Sequence, residues 1–94
     1  MTLEILSQKK KIESTYPPLV FVHGAGGGAW YFEFFLAYFA EKGFDSYALS
    51  LRGHGNSDGK ELIDTYGLDE YLDDVKRVVD QLDEKPILIG HSMG

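Results

Sequence analysis

The chain has 94 residues, of which 44% are hydrophobic, and its formal net charge is -6. This length accommodates one small domain at most, and the apolar fraction is too high for a disordered chain. The acidic balance argues against nucleic acid or an anionic membrane surface as a partner. The sequence contains no cysteine, which excludes disulfides, thiolate metal sites and cysteine nucleophiles.

The N-terminal residues carry neither a basic leader nor an apolar run long enough for a signal peptide. No apolar stretch reaches the ~20 residues that a membrane-spanning helix requires. We therefore expect a cytoplasmic protein without an integral membrane segment. Much of the acidity falls in one segment, where we expect a solvated helix surface formed by Asp69, Glu70, Asp73, Asp74, Asp80, Asp83 and Glu84.

The first half of the chain predicts a strand, a glycine-rich loop and a helix. Residues 3–6 alternate apolar and polar side chains, which is compatible with a short strand. Residues 19–22 form a continuous apolar run, as expected of a strand buried on both faces. The glycine-rich loop at residues 24–28 precedes a predicted helix over residues 29–42, with Gly43 as its C-cap.

The second half repeats this alternation. Residues 44–51 predict a strand, and the glycine-rich composition of residues 52–59 predicts a loop. Apolar side chains recur at helical spacing over residues 68–82, and residues 86–89 predict a last apolar strand. Strands that alternate with helices pair in parallel through right-handed crossovers. Ligands of such sheets bind at the carboxyl ends of the strands, where both glycine-rich segments fall.

The C-terminal pentapeptide carries the strongest chemical signal. Gly90, Ser92 and Gly94 form the Gly-x-Ser-x-Gly pattern of a nucleophile elbow, directly after an apolar strand. The serine of such an elbow sits on a tight turn, and a side chain at the flanking positions would crowd the backbone. The alternative is a turn at a strand end without chemistry. We favour Ser92 as a nucleophile because a second glycine loop lies upstream.

That upstream loop suits the stabilisation of an oxyanion. Backbone N–H groups at Ala25 and Met93 could together hold the negative oxygen that forms during acyl transfer. A flexible glycine linker is the alternative interpretation. A third reading is a dinucleotide fingerprint, since Gly24, Gly26 and Ala29 fit its spacing. That reading requires an acidic residue at the carboxyl end of the next strand, whereas Asp45 lies at the strand's beginning.

The remaining candidates favour structural roles. We expect the loop that begins at Arg52, and the histidines at 23, 54 and 91, to be structural, with none of the three placed to act as a base. Aromatic residues of the first helix are expected mainly in the core, although Trp30 could line an acyl pocket. No His, Asp or Glu cluster has metal-ligand spacing, so no metal and no cofactor is predicted.

The motifs together resemble the α/β-hydrolase superfamily, most closely its serine esterase and lysophospholipase-like branch. The resemblance rests on residues 23–27, 49–57 and 88–94. It implies a partial α/β-hydrolase fold, a parallel sheet with flanking helices that is truncated after the nucleophile elbow. It also implies that the strands ending near His23 and Gly90 are neighbours, that Ser92 is the nucleophile, and that Ala25 and Met93 are the oxyanion donors.

The resemblance implies residues 1–94 to be the N-terminal part of one hydrolase domain that acts on a small ester-like substrate. In this superfamily the acid and the histidine of the triad follow the serine, so we expect the chain alone to be nearly inactive. Serine at the elbow argues against the epoxide hydrolase and haloalkane dehalogenase branches. Haloperoxidase-like members and carbon–carbon bond hydrolases stay open, as does a non-catalytic binding or receptor protein on the same scaffold.

Overall fold

In the computed structural model, the described residues are 2–91; Met1, Ser92, Met93 and Gly94 lie outside them. Within residues 2–91, four strands form one sheet: β1 (Ile5–Gln8), β2 (Leu19–Val22), β3 (Ser46–Leu49) and β4 (Ile87–Gly90). The α-helices are α1 (Glu33–Glu41) and α2 (Leu68–Asp80), and two 3₁₀ helices span Ala29–Phe32 and Lys60–Thr65.

The sheet has the strand order β1-β3-β2-β4. β2 pairs in parallel with both β3 and β4, whereas β1 is antiparallel to β3. The carboxyl end of β2 lies level with those of its neighbours, since Val22 is opposite Leu49 on one side and Gly90 on the other. The predicted parallel pairing is confirmed for these three strands, and so is the α/β fold class.

The core has two layers because successive side chains of β2 point to opposite faces of the sheet. On the α1 face, Leu19 and Phe21 pack in a cluster with Phe32 and Leu36. On the other face, the cluster is formed by Val20, Val22, Leu49, Leu51 and Val78. Every residue of β2 is buried, as the continuous apolar run predicted. Full burial of each such side chain contributes about 1.5–3 kcal/mol.

Several element bounds differ from the sequence-based expectation. β1 begins two residues later than predicted, and the strand expected over residues 44–51 is reduced to Ser46–Leu49. Phe44 is excluded from it because its N–H closes the end of α1 by bonding to the carbonyl of Phe39 (2.9 Å). The 3₁₀ helix at Lys60–Thr65 lies in a stretch for which the sequence predicted no element. Gly43 has φ 100°, which confirms the predicted glycine at the end of α1.

The aromatic helix segment is less buried than predicted. Its face toward the sheet consists of Phe32, Leu36 and Ala40, which follow one another at intervals of four residues and are buried. Phe39 is partly buried and packs against the same cluster. The expectation that these aromatics are mainly core is wrong for the others, which are exposed: Trp30, Tyr31, Phe34, Phe35 and Tyr38.

One acidic residue of α2 is not on the solvated surface where the sequence placed it. Asp74 is buried and accepts hydrogen bonds from Arg52, at 2.8 Å from Nη2 and 2.8 Å from the backbone N–H. These bonds raise the pKa of Arg52 above its ordinary value and keep it charged. Asp74 has helical spacing to Val78, so it lies on the face of α2 that packs against the sheet. The ion pair therefore fastens α2 to the loop that follows β3.

Replacing Asp74 with Ala should reduce the free energy of unfolding by about 3 kcal/mol, since it leaves a partly buried guanidinium without its partner. Asp73→Ala is the matched control, because Asp73 is the neighbouring exposed carboxylate on the same helix. The control should change stability by less than ~0.5 kcal/mol. Urea unfolding of the two variants and the parent chain compares them, and equal effects at the two positions would contradict the structural assignment.

Candidate functional site

The glycine loop after β2 forms a tight turn. The N–H of Gly27 donates to the carbonyl of Gly24 (3.0 Å), and Gly26 between them has φ 79°. A positive φ at the third position of a four-residue turn favours glycine, because other side chains are strained there. Ala25 occupies the second position and is exposed. The turn therefore presents the backbone of Ala25 at the carboxyl edge of the sheet.

His23 holds this turn against the neighbouring strand. Its Nε2 accepts a hydrogen bond from the N–H of Leu51 (2.9 Å), so Nδ1 carries the proton and donates to the carbonyl of Gly24 (2.7 Å). The ring is buried, and burial lowers the pKa of His23, with a smaller effect from nearby His54. Both ring nitrogens are thus occupied by structural bonds, and His23 is a neutral link between the turn and the residues after β3.

A second polar cluster holds the loop at residues 52–57 and centres on Glu4. The carboxylate accepts hydrogen bonds from Ser50 Oγ (2.7 Å) and from the N–H (3.0 Å) and Nδ2 (2.9 Å) of Asn56. Ser50 Oγ in turn accepts the N–H of Ala29 (2.9 Å), at the start of the 3₁₀ helix that follows the glycine turn. A side chain at Gly55 (φ 52°) would collide with Ser50 Oγ and with this carboxylate.

Sequence reasoning missed the role of Glu4. Its partners lie between 46 and 52 residues away in the chain, and no local pattern marks such a contact. The glycine-rich composition of residues 52–59 predicted only a loop, whereas the structure requires glycine at position 55 for space.

The end of β4 brings the last described residue to the same edge. The N–H of His91 donates to the carbonyl of Val22 (3.1 Å), which extends the parallel ladder by one bond. The ring of His91 stacks on Tyr31, with 5.2 Å between centroids and 27° between planes. A cleft of about 270 Å³ lies between these parts and is lined by His23, Gly24, Ala25, Gly26, Gly27, Trp30, Tyr31 and His91.

The structure therefore brings one of the three predicted site residues, Ala25, into a cleft with His91, the residue before Ser92. Ser92 and Met93 lie outside the described residues, so their predicted roles as nucleophile and oxyanion donor stay predictions. Because Val22 and Gly90 are paired, the chain leaves β4 beside the start of the glycine turn. This adjacency agrees with the predicted neighbourhood of the two glycine motifs.

The structure does not place Asp45 where a dinucleotide-binding site requires an acidic residue. Asp45 precedes β3, at the amino edge of the sheet, where its Oδ1 accepts the N–H of Lys10 (2.7 Å). The glycine turn lies at the opposite, carboxyl edge. Within residues 2–91, no group of three or more His, Asp or Glu side chains is arranged to bind a metal ion. No helix among the same residues has both the length and the apolar character that crossing a bilayer requires.

Replacing His23 with Leu should lower the free energy of unfolding by about 2–3 kcal/mol, because the Leu51 N–H is left buried without an acceptor. His23→Asn should lose less, since its amide can still donate to the carbonyl of Gly24. Urea unfolding gives the comparison. Equal stability of His23→Leu and the parent chain would show that the two ring contacts are unimportant.

The Glu4 cluster predicts a specific loss of stability in acid. The hydrogen bond from Ser50, followed by those from Asn56, lowers the pKa of Glu4 below its ordinary value of 4.5. A depressed pKa in the folded state stabilises it fully above pH 4.5, and this contribution is lost as pH falls through the lowered value. Thermal unfolding between pH 7 and pH 3 should be less pH-dependent in Glu4→Gln than in the parent, and identical profiles would contradict the assignment.

The chain is similar to known proteins in both sequence and fold. Residues 17–94 match the family model described as the alpha/beta hydrolase fold. The chain is 37% identical over 78 residues to AB hydrolase superfamily protein YisY of Bacillus subtilis, covering 82% of this chain and 28% of that protein. It is 35% identical over 80 residues to non-heme chloroperoxidase CPO-A1 of Kitasatospora aureofaciens, covering 82% and 28% respectively. Epoxide hydrolase 1 of Caenorhabditis elegans is 32% identical over 79 residues, covering 83% and 19%.

Among solved structures, the thioesterase domain from the curacin biosynthetic pathway superimposes with a TM-score of 0.76 at 25% identity. That match covers 100% of this chain and 38% of the thioesterase chain. The chain thus spans between 19% and 28% of the length of the three relatives above. Because the family model matches residues 17–94, which is most of the chain, the chain belongs to the alpha/beta hydrolase family.

Proposed function

We propose that this chain supplies the nucleophile and the oxyanion loop of a cofactor-free serine hydrolase that acts on a small ester-like substrate. The observation that carries the proposal is the shared cleft at the carboxyl ends of β2 and β4. Its lining includes both Ala25 and His91, and Ser92 follows His91 directly in the chain. Sites of this kind form at the carboxyl edge of parallel sheets.

In the proposed reaction, the hydroxyl oxygen of Ser92 attacks the substrate carbonyl and its proton passes to a general base. The N–H groups of Ala25 and Met93 donate hydrogen bonds to the resulting oxyanion. Collapse of this intermediate expels the alcohol, which takes the proton, and leaves an acyl group on Ser92. Water then attacks the acyl-enzyme with help from the same base and releases the acid.

The described histidines are poorly suited to be that base. Both nitrogens of His23 are engaged, and Nδ1 of His54 lies 3.0 Å from the carbonyl of Arg52. The ring of His91 stacks on Tyr31. We therefore assign the base and the acid of the triad to polypeptide other than residues 2–91. General-base assistance is typically worth ~10²–10⁴-fold, so the 94-residue chain alone should turn over ester substrates very slowly.

The similarity to a thioesterase domain supports acyl transfer as the reaction class, since that protein is named for cleavage of an acyl bond. Two relatives named non-heme chloroperoxidase favour halide oxidation as a second candidate. Serine at position 92 still argues against epoxide hydrolysis, although one relative carries that name. A non-catalytic binding protein on the same scaffold is the alternative from a different functional class.

A fluorophosphonate probe distinguishes these candidates in a natural polypeptide that contains this segment. We expect labelling at Ser92, located by mass spectrometry of the digested protein, and complete loss of that label in Ser92→Ala. Ser7→Ala is the matched control because Ser7 is an exposed serine on β1, at the other edge of the sheet. Its labelling should equal that of the parent.

An unlabelled Ser92 in a folded sample would overturn the serine hydrolase proposal and favour the binding protein. Labelling together with halide oxidation, both lost in Ser92→Ala, would favour the chloroperoxidase-like candidate over ester hydrolysis.

A further inference from the structure

We propose that Trp30 and Tyr31 form an aromatic wall that binds an uncharged aryl group of the substrate beside the backbone of Ala25. The proposal rests on the proposed function, because it takes the cleft at the glycine turn as the substrate site. It adds the chemical class of the group that the cleft accepts.

The rings of Trp30 and Tyr31 line the cleft, although the residues on either side of them in the chain are buried. Ala29 and Phe32 are buried under the sheet, whereas Trp30 is 58% exposed and Tyr31 is 47% exposed. The two rings are in edge-to-face contact, with 6.0 Å between their centroids, and Tyr31 stacks on His91 at 5.2 Å. Aromatic groups prefer these offset and edge-to-face arrangements, so an aryl ligand can extend the same array.

Gly28 makes room for the indole ring. A Cβ added at this position would lie 2.7 Å from Nε1 and 2.8 Å from Cδ1 of Trp30. The indole therefore lies against the backbone of Gly28, at the side of the cleft. Gly28 has φ -175°, an extended conformation that any residue adopts, so the glycine is required here for space alone. An alanine at this position would displace the indole while leaving it in the chain.

The charge and size of the cleft indicate the ligand class. Among residues 2–91, none of the eight residues that line the cleft is Asp, Glu, Lys or Arg, although 26% of the chain is charged. A charged ligand would meet no side chain of fixed opposite charge among them, whereas an aryl group can contact the two aromatic faces. The cleft volume of about 270 Å³ exceeds the roughly 150 Å³ of an engineered apolar cavity that holds benzene. A ring with an adjoining carbonyl therefore fits.

Trp30 is the sole tryptophan of the chain and reports directly on the cleft. We would titrate the dilute 94-residue protein with 4-phenylbutan-2-one, which carries an aryl group and a carbonyl but no ester bond. Butan-2-one, which lacks the ring, is the matched ligand control. We expect a saturable change of tryptophan emission with the aryl ketone, and binding at least tenfold weaker for butan-2-one.

Three variants test where the aryl ketone binds. Tyr31→Ala and Gly28→Ala should each weaken binding about two- to tenfold, because one removes a ring of the wall and the other displaces the indole. Phe34→Ala is the matched control, since Phe34 is 91% exposed on α1 and does not line the cleft. Its affinity should equal that of the parent. Circular dichroism verifies folding, and Tyr31→Leu replaces Tyr31→Ala if the latter does not fold.

The proposal is overturned if emission changes without saturation or if the two ketones bind equally. It is also overturned if Phe34→Ala weakens binding as much as Tyr31→Ala, or if the Tyr31 and Gly28 variants bind like the parent. This outcome is separate from that of the fluorophosphonate experiment. Selective aryl binding without labelling of Ser92 keeps the wall and removes the serine chemistry, whereas labelling without aryl selectivity does the reverse.

Discussion

Burial of β2 between two parallel neighbours is the constraint on which the rest of the structure depends. All four of its residues are at most 6% exposed, and its side chains supply the centre of both core layers. A shift of one residue in its pairing would exchange the side chains between the two faces, so the register is strongly determined. The register aligns Val22 with Gly90 and thereby puts the glycine turn beside the end of β4. The candidate site is a consequence of this alignment.

Buried polar contacts then fix the loops that follow the strands. His23 links the glycine turn to the backbone of Leu51, and Ser50 links Glu4 to the 3₁₀ helix that carries Trp30 and Tyr31. Arg52 and Asp74 fasten the next loop to α2. The two fully buried bonds among these, from the N–H groups of Ala29 and Leu51, satisfy donors that would each cost about 1–3 kcal/mol without a partner. The cleft is therefore bordered by loops that the core and these contacts hold in place together.

The sequence predicted the elements whose signal is local. The apolar run at Leu19–Val22 predicted a strand buried on both faces, and the helical spacing around Val78 predicted a helix buried on one face. The structure confirms both elements. The sequence did not predict that Asp74 is buried. The residue pattern of α2 indicates which face of the helix is apolar, but not that Arg52 lies beside Asp74 in the fold. The role of Glu4 depends on partners about fifty residues away. The exposure of Trp30 depends on which face of the helical segment packs against the sheet. The sequence does not indicate that face, because aromatic residues occur on all sides of the segment.

The candidate site could be predicted only in part, because a sequence pattern does not reveal contacts between residues that are far apart in the chain. Two glycine motifs after apolar strands indicated one sheet edge, and the structure places Ala25 and His91 in one cleft there. The candidate site depends on the parallel pairing of β2 with β4, which NMR measures directly through contacts between backbone protons. We predict cross-strand nuclear Overhauser effects that place Phe21 beside Ile89 and the amide of His91 beside Val22, together with slow exchange of that amide. Antiparallel contacts, a register shifted by one residue, or a rapidly exchanging His91 amide would contradict this arrangement of the two strands.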